Sequence, residues 1–170
     1  PLLGESLASL PAVSINLIPS IPGPTETPAS VEFFHPSGTE PGFQIDCGIQ
    51  AVGGHSIGSP KNNFRLYFRS QYGASTLDHD IFRDHPYARD HAPAQRFDRI
   101  ALRGGSHDSF FWMGEPANPP MSGFKGDAMY LRTPVMDDLH LNMGHAAPHC
   151  RYVQLWMNGR YHGLYHWREY

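Results

Sequence analysis

The chain has 170 residues, 40% of them hydrophobic and 17% charged, with a formal net charge of −3. That length and composition fit one folded domain around a single core and exclude a disordered polar chain, while the charge gives no electrostatic reason to expect nucleic acid as a partner. No apolar run approaches the roughly eighteen residues that a membrane span needs, and the sequence shows no basic-then-apolar leader, so the expected location is the cytoplasm or, after maturation, outside it.

In chain order, "AVSINLI" predicts a short strand and "PSIPGPTETPAS" (19–30), with four prolines, predicts a linker or surface loop. Residues 1–30 therefore read as an N-terminal strand and Pro-rich linker ahead of a main domain over 31–170. "VEFF" and a turn at Pro36-Ser37-Gly38 lead into "FQIDCGI", whose strict alternation puts Phe43, Ile45, Cys47 and Ile49 on one face. "NFRLYFRS" repeats the device, with Phe64, Leu66 and Phe68 facing in and Arg65, Tyr67 and Arg69 facing out. Such alternation indicates antiparallel sheet with one covered face. Residues 71–125 are rich in Gly, Pro, Asp and His and read as mostly irregular, with "RIALRG" as their one convincing strand.

A helix is predicted over about 134–143. Thr133 is its expected cap, Pro134 suits its first turn, Asp137-Asp138 complement the positive end of its dipole, and Gly144 stops it. Val135, Met136, Leu139 and Met143 form its apolar stripe. Finally, "RYVQLWM-NG-RYHGLYHW" predicts a hairpin, because Asn158-Gly159 tolerates the positive φ angles of a type I′ turn. Its aromatic residues (Tyr152, Trp156, Tyr161, Tyr165, Trp167) read as cross-strand packing pairs. The expected fold class is α+β: a twisted, mainly antiparallel sheet with one main helix and long irregular loops.

Several constellations carry chemistry. Gly54-His55-Ser56-Ile57-Gly58 spells G-x-S-x-G, the nucleophile elbow of esterases, and makes Ser56 the nucleophile of an alternative reading as a small hydrolase of esters or lactones. An elbow needs a helix directly after the serine. Here Pro60, Asn62 and Asn63 break any helix, so a strand-to-strand bend is favoured. In "LDHDIFRDHPYARDH", Asp78, Asp80 and Asp84 could hold a divalent cation such as Ca²⁺, although the spacing matches neither an EF-hand nor a zinc signature and a solvated loop competes. Cys47 and Cys150 are too few for a disulfide framework and could pair or stand as buried thiols. Eleven histidines mean that mild acid could reverse the sign of the charge.

"VEFFHPSG…GFQIDCGIQAVGGHSIGSPKNNFRLYFRSQYGASTLDHDIF" resembles the opening of the CotH (spore coat protein H) kinase-like family, and "RFDRIALRGGSHDSF", "YLRTPVMDDLHLNMGHAAPH" and "RYVQLWMNGRYHGLYHWRE" resemble its later motifs in order. The resemblance covers 31–169. It implies the N-terminal portion of an atypical kinase fold that binds ATP and Mg²⁺ and phosphorylates Ser or Thr of a protein substrate. Phosphoryl transfer needs a cation and backbone amides on the phosphates, so Gly53, Gly54 and Gly58 are expected to let amides approach phosphate closely, with Lys61 as the candidate phosphate-binding cation and Arg65 as a second; Glu169 stands where the family has a Glu, and the resemblance implies that it orients Lys61 or contacts the nucleotide. Where the family usually has Leu-Arg-Asp at the helix entry, this chain has Leu131-Arg132-Thr133. The family's catalytic and Mg²⁺-binding aspartates are expected beyond the "G-L-Y-x-x-x-E" strand, so the resemblance is to a domain without its catalytic half. An uncovered sheet face in such a portion would favour self-association. A non-catalytic surface or binding module is the third reading, with the aromatic hairpin serving recognition.

Overall fold

The fold was obtained as a computed structural model, which describes residues 2–18, 21–54, 57, 61–83, 85, 92–109 and 128–170. A short helix α1 (Leu2–Ala8) precedes strands β1 (Ala12–Leu17), β2 (Thr27–Phe34), β3 (Phe43–Val52) and β4 (Asn63–Tyr67). Two-residue strands β5 (Leu77–Asp78) and β6 (Arg96–Phe97) pair with each other beside the main sheet. Strand β7 (Arg99–Arg103) is followed by helix α2 (Arg132–Asn142) and by the hairpin β8 (Cys150–Met157) and β9 (Arg160–Arg168).

The alternating strands form as read. Cys47, Ile49, Phe64 and Leu66 are buried, while Gln44 and Asp46 on the opposite face of β3 are exposed. Asn158 and Gly159 both have positive φ, 47° and 73°, and turn β8 into β9. Trp156 and Tyr161 face each other across the hairpin with ring centroids 5.1 Å apart, and Tyr165 and Trp167 enter the core.

The sheet itself differs from the expected open, twisted α+β arrangement. Seven strands close into a barrel in the order β1-β2-β3-β4-β7-β9-β8. Closure comes from β1, which lies antiparallel to β2 and parallel to β8, with Ala12 opposite Gln154 and Ile15 opposite Met157. Val13 and Ile15 of β1 are fully buried, each worth about 1.5–3 kcal/mol of apolar burial, so the strand belongs to the core. A barrel of this size has no lumen, and its interior is filled by side chains. Part of the stretch read as linker is also strand: β2 begins at Thr27, and Pro28 sits in its first turn of the ladder, before β1 pairs with it, where a missing N–H is tolerated.

Helix α2 starts two residues earlier than read, at Arg132, and its cap is not Thr133. The N-cap position is Leu131, and the N–H of Arg132 donates instead to Oδ2 of Asp108 at 2.9 Å. Gly144 does end the helix, with φ 78° and its N–H donating to the Leu141 carbonyl. The apolar stripe does not face the core: Val135, Met136, Leu139 and Met143 are about half exposed, and Pro134 and Leu141 are the buried residues. An ion pair and a histidine contact hold α2 in place, with Arg168 donating to both oxygens of Asp137 at 2.7 and 3.0 Å and the His85 ring, its pKa lowered by burial, lying 3.2 Å from Asp138. Among the described residues no helix is long and apolar enough to cross a membrane. Cys47 and Cys150 are separate buried thiols, both pushed up to about 12 by burial first and by nearby carboxylates.

Candidate functional site

Lys61 lies two residues before β4 and is 4% exposed, the single buried lysine or arginine among the described residues. A buried ammonium needs compensation, and two tyrosines supply it. Lys61 Nζ donates to Tyr130 Oη at 3.2 Å and stands 4.3 Å from the Tyr130 ring centroid and 5.0 Å from that of Tyr165. The electron-rich faces of both rings favour the cation. Burial nevertheless dominates and lowers the Lys61 pKa to about 8. Tyr165 is fixed in turn by donating its hydroxyl to the Asn62 carbonyl at 3.0 Å.

Glycines make the room for this arrangement. A Cβ on Gly104 would stand 2.9 Å from Lys61 Cγ, and one on Gly105 would stand 3.1 Å from the Tyr130 ring. Gly163, with φ 99°, passes 3.8 Å from Lys61 Nζ, measured from where its Cβ would be. It sits in β9 opposite Leu155, beside the register shift at Leu155/Trp156, where the β8–β9 ladder is irregular. Asn63 fastens the floor: its Oδ1 accepts from Gly104 N–H at 2.9 Å, and its Nδ2 donates to Ser106 Oγ at 2.8 Å.

Tyr130 is held in a left-handed backbone conformation, φ 58°, which costs a bulky residue on the order of 1 kcal/mol. Its carbonyl explains the tolerance, accepting from Tyr152 Oη at 2.6 Å and lying 2.9 Å from His166 Nε2. Burial, with the positive charges of Lys61 and Arg103 adding to it, lowers the His166 pKa to about 4; a neutral ring donating from Nε2 fits both observations. Beside them, burial works to raise the Asp108 pKa, but N–H bonds from Met129 and Arg132 and the Arg132 guanidinium prevail and hold it below the usual carboxylate range.

The residues singled out from sequence distribute as follows. Lys61 is at the centre of this niche. Gly54 follows β3 by two residues, where a Cβ would meet open space; Ser56 and Gly58 lie outside the described residues. Arg65 is turned to the outer face of β4, donating to Tyr67 Oη at 3.1 Å and stacking on Tyr170 with its guanidinium carbon 3.9 Å from the ring centroid. Glu169 accepts from Ala94 N–H and from the N–H and Nδ1 of His149, all within 2.8 Å, which ties the end of β9 to the segment before β8. Asp78 is in β5 with Arg96 3.8 Å away, Asp84 is outside the described residues, and among the described residues no three His, Cys, Asp or Glu side chains are arranged to hold a metal ion.

Sequence reasoning missed Tyr130, Tyr165, Gly104, Gly105 and Gly163 as parts of one site. Their signals were present: a Gly-Gly pair directly after the "RIALR" strand and a lone glycine inside a strand both mark a close approach of backbone to another group.

Among curated proteins none matches the chain. Residues 124–170, the stretch containing Tyr130, α2, β8 and β9, match the family model described as CotH kinase protein. The resemblance to the CotH family seen in the sequence therefore holds over this segment, and over these residues the chain is CotH-like.

Proposed function

We propose that the Lys61 niche receives the phosphate chain of ATP, as the nucleotide-binding, N-terminal part of a CotH-like protein kinase acting on Ser or Thr of a protein substrate. The observation that carries this reading is a lysine enclosed at a barrel rim by three glycines, in a chain whose C-terminal segment matches the CotH kinase family model. Phosphoryl transfer is mainly positioning and charge neutralisation. A lysine with a pKa of about 8 is charged at neutral pH, an approaching anion favours that charge further, and Gly163 puts no side chain beside its Nζ. When bound, ATP supplies the transferable phosphoryl group and Mg²⁺ neutralises its developing charge. The described residues fit the phosphate half of this cofactor. They offer no carboxylate cluster for the metal.

Thermal unfolding with and without ATP and Mg²⁺ tests the reading, with Lys61→Ala as the control. Nucleotide at a hundredfold over its Kd stabilises by about 2.7 kcal/mol, so a clear rise in Tm is expected for the wild type and none for the variant. No rise in either protein removes the reading.

A further inference from the structure

On the outer side of β4 and β7, five flat groups stack in series. The Arg69 guanidinium carbon lies 4.8 Å from the Tyr67 ring centroid, that of Arg65 lies 5.8 Å from Tyr67 and 3.9 Å from Tyr170, and that of Arg99 lies 4.8 Å from Tyr170. Tyr67 is fixed within the series, its hydroxyl donating to Gln50 Oε1 at 2.8 Å. We propose that this stack docks an acidic peptide segment of a partner protein, with a carboxylate on Arg65 and Arg99 and a neighbouring apolar side chain in the cleft beside Tyr170. None of these residues belongs to the Lys61 niche, so the surface stands independently of the phosphate reading.

Arg65 carries the argument. Its Nη1 donates to Tyr67 Oη at 3.1 Å, its Nε is buried without a hydrogen-bond partner, and its Nη2, also unbonded, is not buried. The other arginines of this side, Arg69, Arg96 and Arg99, have Glu26, Asp78 and Asp98 at 3.1, 3.8 and 3.5 Å. Among the described residues Arg65 has no such carboxylate. The tyrosine faces orient its guanidinium and leave the N–H edge for an anion, the geometry in which arginine binds a carboxylate. Arg99 is loosely committed, because 43% of its side chain and 72% of that of Asp98 are exposed, and pairs of this kind exchange partners at little cost. Arg99 and Tyr170 also line a cleft of about 490 Å³ with Ala94, Phe97, Ala147 and Pro148, which seats an apolar side chain next to the stack. Glu169, a carboxylate in the same lining, has both oxygens taken by N–H donors. One uncompensated cation suits a peptide carboxylate, whereas a nucleic-acid backbone needs a row of them.

Fluorescence anisotropy of a labelled peptide in which two glutamates flank a leucine, against the same peptide with glutamines, tests the surface on the intact chain. The glutamate peptide is expected to bind about tenfold more tightly, the factor that a charge-assisted hydrogen bond supplies. Arg65→Gln should remove most of that preference, and Arg99→Gln should reduce it about threefold, as for an exposed pair. Tyr170→Ala should weaken both peptides, because the cleft loses its aromatic wall. Arg160→Gln, at an exposed arginine outside the stack, should change neither. Urea midpoints confirm that the variants are folded. No binding, equal affinity for the two peptides, or a glutamate preference that survives both Arg65→Gln and Arg99→Gln overturns the proposal. So does tighter binding of a uridine oligonucleotide than of the glutamate peptide, which would make the surface a nucleic-acid site. Lys61→Ala, the control for the phosphate reading, should leave peptide affinity unchanged, so either reading can fail without the other.

Discussion

At the residue scale, Lys61 should be visible in the pH dependence of stability. Its pKa lies below the ordinary 10.5, at about 8, because burial disfavours the charged form. Between these values the unfolded chain binds a proton that the folded one does not, so stability rises with pH across that window. Below pH 8 the full cost of the buried ammonium is present; above 10.5 it is gone. The gap corresponds to about 3 kcal/mol. Lys61→Met removes the titrating group while keeping the stem that fills the space beside Gly104. Urea unfolding should show the stability of this variant relative to the wild type to be greatest at pH 7–8 and to shrink toward pH 10.5. A difference that stays constant over this range would mean that Lys61 is not desolvated. In the sequence, Lys61 was legible as a cation following a glycine-rich bend. Its enclosure was not, because Tyr130 and Tyr165 are 69 and about 100 positions away along the chain, and no local pattern connects them.

At the scale of elements, local signals were read well and long-range ones were not. Period-two alternation found β3 and β4, and Asn158-Gly159 found the last hairpin, because both signals act between neighbouring residues. The start of α2 shows the limit. Thr133 has the chemistry of a cap, but Asp108, 24 residues upstream, takes the role with its two oxygens on the N–H groups of Met129 and Arg132. Its position in a short 3₁₀ turn (Ser106–Asp108) beyond β7 aims the carboxylate at the positive end of the helix. Asp108→Ala should therefore cost about 1–2 kcal/mol in urea unfolding, with faster hydrogen exchange over the first turn of α2, and Thr133→Ala should be close to neutral. The reverse ranking would restore the local cap. The exposed apolar stripe of α2 has the same lesson. Sequence periodicity identified the stripe, but the helix is tethered through Asp137 and Asp138 on another side, so the stripe faces outward.

At the scale of the whole molecule, the difference between an open sheet and a barrel comes down to one parallel pairing, β1 against β8, between segments about 140 residues apart. Neither strand's own pattern announces it, since a strand paired on one edge and a strand paired on both can carry the same alternation. Among the described residues, half of the exposed large apolar side chains lie on or beside α2, from Met129 to Met143, and the others, such as Ile18, Phe34 and Tyr161, are spread over the strands and loops. The seam is fastened at one end by Asn158. Its Oδ1 accepts from Leu17 N–H at 2.9 Å, its Nδ2 donates to the Leu17 carbonyl at 3.0 Å, and its own N–H donates to the Ile15 carbonyl at 2.9 Å. An asparagine in a type I′ turn would ordinarily be explained by its tolerance of positive φ alone, and glycine would then replace it at little cost. Here the side chain mimics one more residue of strand and clamps β1 to the turn. Asn158→Gly keeps the turn and its N–H but removes two hydrogen bonds across the seam, so it should cost about 1–3 kcal/mol, with hydrogen exchange rising at Leu17 before it rises in β3 or β4. If Asn158→Gly is as stable as the wild type, the turn alone accounts for the residue, and the barrel is held shut at that end by the β1–β8 ladder without its help.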